Sequence, residues 1–225
     1  MAGWDSADLH DRMLLYLGRG HAGTFATDEL WTSARLYLIL SDAYEQVVTE
    51  IAPSFPEQVM GAPVLLTSAD GGRTFTFPNG DYPFGHVEVY AKENGGRELY
   101  VSTYGDPGGD FVVEGSTIRS IGNRQRTYAN GPYARYVAIP ARLSASVQPV
   151  LAPDAARELI LWRALVMAAE VSNGELDPLP WVQKYGDAKE RWFGVWATQY
   201  ATRGQAARGT SAQPWWYGID GLVNI

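Results

Sequence analysis

The sequence predicts an α+β fold: a helical bundle domain with an inserted antiparallel β-sheet or small β-barrel domain, and an extended C-terminal arm. Three observations support this prediction. Residues 153–174 are apolar on nearly every face, residues 62–150 contain short β-prone runs between glycine-rich turns, and apolar periodicity is lost after about residue 203. We therefore expect a helical domain from residues 1–61 and 151–203, a β domain from 62–150, and an arm from 204–225.

The central helix of the predicted bundle is the apolar segment that begins near residue 153. Between Leu159 and Ala169 only Arg163 interrupts the run of apolar side chains. A helix that is apolar all round is normally buried. A membrane span is excluded because each charged residue of the segment would cost about 2.5 to 3.5 kcal/mol on insertion scales. We expect Trp162 and Leu165 in the core, and Arg163 reaching a carboxylate, a carbonyl or solvent.

Two helices are predicted before the β part. Ser6 begins a short helix that ends at Gly18. A second helix is predicted to open at Thr27, where acidic residues in its first turn complement the helix dipole, and to end before Pro53. Its apolar positions recur every three or four residues, so it is the natural partner of the central helix.

Seven short strands are predicted between the helical blocks. Each is rich in Val, Ile, Thr, Tyr or Phe, and the intervening Asp-Gly and Asn-Gly pairs suit tight turns that need positive φ. The strands are 64–67, 73–77, 86–91, 99–103, 111–113, 117–121 and 133–139.

The last predicted helix begins at Leu179 and ends near Thr202, with large aromatic residues along one side. From Arg203 onward the sequence resembles a linker. An apolar segment follows that linker, and a free tail has no reason to carry two tryptophans. We expect this arm to dock into another subunit through Pro214, Trp215, Trp216, Tyr217, Ile219, Leu222 and Ile225.

Composition limits the function classes. With 46% hydrophobic and 19% charged residues the chain can bury a real core, and the absence of cysteine excludes disulfides, thiol nucleophiles and thiolate metal sites. The N-terminus has neither a basic region nor an apolar run, so we expect no signal peptide and folding in a cytoplasm.

The net charge of −7 is unevenly distributed along the chain. Residues 115–153 carry five arginines and no acidic residue, a pattern that could meet DNA or the acidic face of a partner, or could place solvated arginines on a sheet. These arginines are Arg119, Arg124, Arg126, Arg135 and Arg142.

The sequence offers little catalytic chemistry. His10, His21 and His86 show no metal-binding spacing and no obvious carboxylate partner. The acidic loops do not match the EF-hand pattern, and no serine lies in a nucleophile-elbow context. We expect no enzyme activity, no metal and no cofactor.

The order of elements resembles that of bacteriophage head-to-tail adaptor proteins, also called connector or head-completion proteins. The resemblance is carried by the short first helix, the second helix around residues 29–47, the helix around 155–169, the aromatic last helix and the arm. It implies a structural virion protein that assembles in the host cytoplasm into a ring, commonly of twelve subunits. That ring lies beneath the portal at the head–tail neck, extends the channel for packaged DNA, and attaches the tail or nozzle protein. The resemblance also implies that the arm reaches the portal and that the protein has no membrane partner.

Two rival functions come from other classes. A carbohydrate-binding or tail-fibre-type module would need an exposed aromatic platform on the β part, formed by Tyr82, Phe84, Tyr90, Tyr100 and Tyr104. A glycoside hydrolase would need two carboxylates about 5 to 10 Å apart, and Glu88 with Glu98 is the strand pair that fits the residue types.

Overall fold

A computed structural model describes residues 4–18, 31–68, 70, 73–78, 83–92, 98–103, 111–120, 130–172 and 174–208. Within these ranges the chain forms four α-helices and seven strands. The helices are α1 (Ser6–Tyr16), α2 (Ser33–Ile51), α3 (Glu158–Val171) and α4 (Leu179–Arg208). The strands are β1 (Val64–Leu65), β2 (Thr74–Thr76), β3 (Pro83–Lys92), β4 (Glu98–Thr103), β5 (Phe111–Glu114), β6 (Thr117–Ser120) and β7 (Asn130–Ala138).

The predicted fold class is confirmed, because all seven strands lie between α2 and α3. Each of the seven sequence runs overlaps one strand, so turn residues and β-branched composition were sufficient to find them. The predicted arm, residues 204–225, lies outside the described residues from residue 209 onward.

The starts of the first two helices are set by capping side chains. The Asp5 carboxylate accepts a hydrogen bond from the Asp8 amide at 2.7 Å and caps α1. The Thr32 hydroxyl accepts from the Arg35 amide at 3.3 Å, so α2 begins at Ser33. The expected start at Thr27 is therefore wrong, and residues 27–30 lie outside the described ranges. A side-chain oxygen that satisfies a first-turn amide decided this boundary.

Helix α3 is the centre of the helical core, as the sequence predicts. It follows a 3-10 turn at Asp154–Arg157, and both Trp162 and Leu165 are buried. The Arg163 guanidinium donates through Nε to the side-chain carbonyl of Gln46 on α2 at 2.6 Å. After α3, Gly174 has φ +88°, the left-handed conformation expected for a helix C-cap.

All four helices contribute to one buried cluster with α3 at its centre. Apolar residues from outside the helices join this cluster and connect it to the rest of the chain. They are Val59, Met60, Val137, Leu143 and Leu151.

The strands form two antiparallel sheets. Their orders are β1-β7-β3-β4 and β2-β6-β5. A second, smaller core lies between them, because buried side chains from both sheets belong to one cluster. Its members are Leu66, Phe75, Phe77, Val87, Val89, Ile118, Ala134 and Tyr136.

Strand β7 contributes to both cores because successive side chains of a strand point to opposite faces. Ala134 and Tyr136 belong to the core between the sheets. Val137 belongs to the helical core. The sheet that contains β7 is thus packed against the helical part through its other face.

The segment 139–152, which connects β7 to α3, is attached to the first two helices. The Leu143 amide donates to the Ser41 hydroxyl at 2.8 Å, and the Val150 amide donates to the Tyr44 hydroxyl at 2.6 Å. Leu151 is buried in the helical cluster. By packing, this segment belongs with the helices, although the sequence grouped residues up to 150 with the β part.

Helix α4 continues further than the sequence predicts. It runs from Leu179 to Arg208, so the expectation of a linker from Arg203 is wrong over the residues up to Arg208. Ala, Gln and Arg are good helix formers and outweigh the cost of Gly204. No helix in the described ranges has the length and apolar character that crossing a bilayer requires.

Candidate partner-binding surfaces

Arg135, which the sequence offers as a contact to DNA or a partner, makes its described contacts within the chain. Its guanidinium donates to the backbone oxygens of Gly61 and Glu57, each at 3.3 Å. It also lies 4.0 Å from the carboxylate of Glu88, its register partner on β3, which is buried. Arg135 therefore ties the four-stranded sheet to the loop that follows α2.

Arg119 has an acidic partner as well. Its Nε and Nη2 donate to one carboxylate oxygen of Glu114 at 3.0 and 2.6 Å across the β5–β6 hairpin. These hydrogen bonds hold the pKa of Glu114 below its usual value. An arginine in an acid-free stretch of sequence is thus neutralised by an acid that lies just before the stretch.

The structure describes three of the five predicted arginines, and Arg142 is the one of these that remains available to contact DNA or a partner. It is exposed in the connector before α3, and no ion pair to it is found within the described part of the chain. Arg124 and Arg126 lie outside the described residues. The structure therefore does not bring the five arginines together into one basic surface among the residues it describes.

The partner-binding residues predicted for the arm lie outside the described residues. Pro214, Trp215, Trp216, Tyr217, Ile219, Leu222 and Ile225 all follow the end of α4 at Arg208. The described helix nevertheless fixes where the arm begins. At about 1.5 Å per residue α4 is about 45 Å long, and its last described buried side chain is Trp196.

Helix α4 is held on the bundle by two carboxylates. Glu50 of α2 accepts hydrogen bonds from the Tyr185 hydroxyl and the Lys189 ammonium, each at 2.8 Å. Glu158 at the start of α3 accepts from the Trp192 indole at 2.7 Å and also pairs with Arg191. Both carboxylates receive donors from α4, so the helix is fixed in rotation as well as in position.

The first of these contacts changes the acidity of both partners. Burial raises the pKa of Glu50, but the hydrogen bonds from Lys189 and Tyr185 outweigh burial, and the net pKa lies below its usual value. Burial and then Glu50 raise the pKa of the Tyr185 hydroxyl. The tyrosine therefore stays protonated and remains a donor across the ordinary pH range.

Aromatic packing completes the attachment of α4. The ring of Phe55, after α2, lies 5.2 Å from Phe193, 5.5 Å from Trp196 and 5.6 Å from Tyr200. Trp196 is completely buried. This packing stabilises a helix that contains two glycines, Gly186 and Gly194, which both face open space.

A group of exposed apolar residues lies where the end of α1 meets the start of α4, and we call it the α1–α4 patch. It consists of Leu15, Tyr16, Leu179, Trp181 and Val182. The Tyr16 ring contacts Trp181 at 5.5 Å, which places the two helix ends side by side. Leu15 is 66% exposed, Leu179 72% and Val182 49%.

The floor of the α1–α4 patch is aromatic and carries one cation. Trp162 of α3 stacks with Trp181 at 6.3 Å and contacts Tyr16 at 5.1 Å. The Lys184 ammonium lies 4.7 Å from the centre of the Trp162 ring and 5.7 Å from that of Tyr16. Cation–π attraction holds this lysine over the aromatic floor. Exposed apolar side chains grouped at two adjacent helix ends are typical of interaction sites.

His10 has partners that sequence reasoning missed. Its ring lies 3.3 Å from the Asp11 carboxylate and 3.0 Å from the Ser33 hydroxyl, and it stacks on Tyr37 at 4.7 Å. The order Ser, His, Asp is that of a hydrolase triad, but Asp11 is largely exposed and the imidazole is buried against Tyr37. We assign the cluster a structural role, because it fixes the first turn of α2 on α1.

Backbone register locates the glutamates of one rival function of the β part. Glu88 pairs in register with Thr103, and Glu98 pairs with Lys92. That register separates the backbone positions of the two glutamates by about 13 Å along the strands. The side chains of the proposed sugar platform lie outside those described: Tyr82, Phe84, Tyr90, Tyr100 and Tyr104.

The described residues contain no candidate metal site, since no three His, Asp or Glu side chains are grouped there as possible ligands. Comparison with protein-family models and with curated proteins gave no match to this chain.

Proposed function

We propose that this chain is the subunit of a bacteriophage head-to-tail adaptor, a ring that lies beneath the portal, extends the DNA channel and attaches the tail. The observation that supports the proposal is the order of elements. Two helices, an inserted β part and two further helices share one helical core, and an apolar segment follows the last helix.

The attachment of α4 supports a structural role for the arm. Glu50, Glu158 and the Phe55 cluster fix the helix firmly on the bundle as far as Tyr200. The following residues up to Arg208 are helical, so the arm begins at the end of a supported rod. A segment with two tryptophans at the end of such a rod can reach a partner outside its own protomer.

The proposal assigns no role to a metal, a cofactor or a covalent reaction. Its partners are further copies of this chain, the portal, a tail or nozzle protein, and the DNA that passes through the channel. Among the described arginines of residues 115–153, Arg142 is the one that is free to contact DNA or a neighbouring protein, because Arg119 and Arg135 are occupied within the chain.

Co-expression with the portal protein of the same genome tests the proposal. Light scattering coupled to size exclusion gives the mass of the complex, and electron microscopy of the same fraction shows whether a ring lies on the portal. We expect a portal-bound ring with the parent chain. A chain truncated after Arg208 keeps all four helices and the buried cluster that they form, so it should melt almost as the parent does, yet it should fail to join the portal.

A milder pair of variants controls for the truncation. Trp215→Ala with Trp216→Ala removes the aromatic anchors, whereas Thr210→Ala with Gln213→Ala changes the preceding polar residues. Only the first pair should weaken portal binding. A sugar-binding monomer, or a truncation that lowers the melting temperature by many degrees while portal binding persists, would refute the proposed function of the arm.

A further inference from the structure

The α1–α4 patch exposes more apolar surface than the fold of one protomer explains. Leu15 and Leu179 are among the most exposed large apolar side chains described in the chain. They lie on the two helix ends that the contact between Tyr16 and the half-buried Trp181 brings side by side. Isolated exposed leucines are ordinary, but several exposed apolar side chains at two adjacent helix ends indicate a surface that is covered in an assembly.

The sequence after α4 has the composition that would cover such a surface. Residues 214–225 are largely apolar and include two tryptophans and a tyrosine. The charged side chain among residues 209–225 is that of Asp220, and the chain has no lysine or arginine there. The α1–α4 patch carries the Lys184 ammonium above its aromatic floor. The two surfaces are therefore complementary both in apolar character and in charge.

Chain length prevents the two tryptophans from reaching the α1–α4 patch of their own protomer. Trp181 lies near the start of α4, so the helix carries Arg208 about 40 Å away from it at about 1.5 Å per residue. Trp215 follows Arg208 by seven residues, which span at most about 25 Å when fully extended. Trp216 gains less than about 4 Å more. A tryptophan on this patch must come from another molecule.

We infer that the α1–α4 patch of one copy binds the 214–225 segment of a second copy of this chain. The contact is head-to-tail, with a donor surface on one side of each protomer and a receptor on the other. Repetition of such a contact closes into a ring when the rotation between copies permits it. The arm then has two partners, its neighbour in the free ring and the portal in the assembled neck. The inference rests on the proposed function only in that copies of this chain assemble together.

Complementary defects test the inference directly. A patch variant, Leu179→Ser with Val182→Ser, keeps the arm but loses apolar surface at two exposed positions. An arm variant, truncated after Arg208, keeps the patch. Sedimentation velocity should show that each variant alone self-associates at least tenfold more weakly than the parent. An equimolar mixture should regain association as a one-to-one pair, because each partner supplies what the other lacks.

Val195→Ser is the matched control, because Val195 is an exposed valine on α4 that lies about 20 Å from the patch. It should self-associate like the parent. As a second measurement, a labelled peptide of residues 214–225 should bind the truncated protein, and its Kd should rise at least tenfold when Leu179→Ser and Val182→Ser are added. Melting of each variant confirms that it is folded.

The inference is overturned if the mixture associates no better than its components, or if the peptide binds the patch variant as it binds the control. In either case the 214–225 segment binds elsewhere, such as beside the Phe55 cluster. Portal capture by the patch variant separates this result from the proposed function. If the patch variant self-associates like the parent and still binds the portal, the inference alone is wrong. If the mixture of variants forms the one-to-one pair but the chain does not bind the portal, the proposed function alone is wrong.

Discussion

Truncation of Leu165 is the most direct perturbation of the helical core. Leu165 is 0% exposed and lies on α3, the helix that contacts each of the other three. Replacement by Ala removes buried methyl groups and leaves a cavity that surrounding helices can close only partly. Fully buried Leu→Ala changes cost about 3 to 5 kcal/mol, and the central position of α3 places Leu165→Ala in this range.

The predicted loss is large enough for a thermal assay. For a chain of this size each kcal/mol lowers Tm by roughly 2 to 4 °C, so Leu165→Ala should lower Tm by roughly 6 to 20 °C. Circular dichroism at the helical wavelengths and urea unfolding measure the same change independently. Leu38→Ala is the matched control, because Leu38 lies on α2 but is 42% exposed. It should stay within about 0.5 kcal/mol of the parent.

The comparison between the two variants decides whether α3 is placed correctly. If Leu165→Ala melts like the parent, or if both leucine variants lose the same stability, α3 is not the centre of the core. The packing argument for the whole helical part would then be wrong, including the orientation of α4 on which the partner-binding surfaces depend.

Two further substitutions test single contacts. Arg135→Met removes the hydrogen bonds to the loop after α2 and the nearby cation of Glu88, and should cost about 1 to 3 kcal/mol in urea unfolding, whereas Arg142→Met should leave stability unchanged. Equal melting of both arginine variants would contradict the structural role of Arg135. The pKa of Glu50 is lower in the folded state than in the unfolded state. The Glu50 carboxylate therefore stabilises the fold above the unfolded-state pKa, and this stabilisation is lost as the pH falls through the folded-state pKa. Glu50→Gln should therefore lower the free energy of unfolding at pH 7 by less than about 1 kcal/mol, because the pair is exposed, and the difference from the parent should disappear in acid. Glu45→Gln on the same helix is the control, and a Glu50→Gln effect that persists at low pH would contradict the assignment.

The parts of the fold that were predicted well are those with strong local signals. The run from Leu159 to Ala169 is apolar on all faces, and a helix of that kind can satisfy its side chains only inside a core. The strands were found because Asp-Gly and Asn-Gly turns separate runs of β-branched residues. Both signals depend on a few neighbouring residues, so no tertiary information was needed to read them.

Boundaries were predicted less well because single contacts decide them. The Thr32 hydroxyl caps α2 at Ser33, although the acidic residues earlier in the chain indicated a start at Thr27. At the other end of the chain, the loss of apolar periodicity after Thr202 predicts that α4 ends there, whereas the helix continues to Arg208. Periodicity reports burial of one face, and a helix that leaves the bundle keeps its backbone hydrogen bonds without a buried face.

The distribution of charge along the sequence did not predict which arginines have acidic partners in the fold. Residues 115–153 contain no acid, yet Arg119 pairs with Glu114 across a hairpin and Arg135 approaches Glu88 across a strand pair. Antiparallel pairing brings residues that are distant in sequence into register, so arginines in an acid-free stretch can still pair with acidic residues on neighbouring strands. Among the described arginines of this stretch, Arg142, which lies outside the sheet, is the one without an ion pair.

The α1–α4 patch shows why an interaction surface is harder to read from sequence than a core. Leu14 and Leu15 are consecutive leucines on α1, but Leu14 is 1% exposed and Leu15 is 66% exposed. The two residue types are identical, so the packing of α1 against its neighbours, which the sequence does not show, separates them. The apolar arm was visible in the sequence because it follows a polar stretch, whereas its proposed receptor is formed by two helix ends far apart in the chain.

Helix α4 connects the two observations: it contributes Leu179 and Val182 to the patch at its start and carries the arm at its end. Its length of about 45 Å keeps the two apart within one protomer, so the same helix that exposes the receptor also makes a second copy necessary to fill it with the two tryptophans.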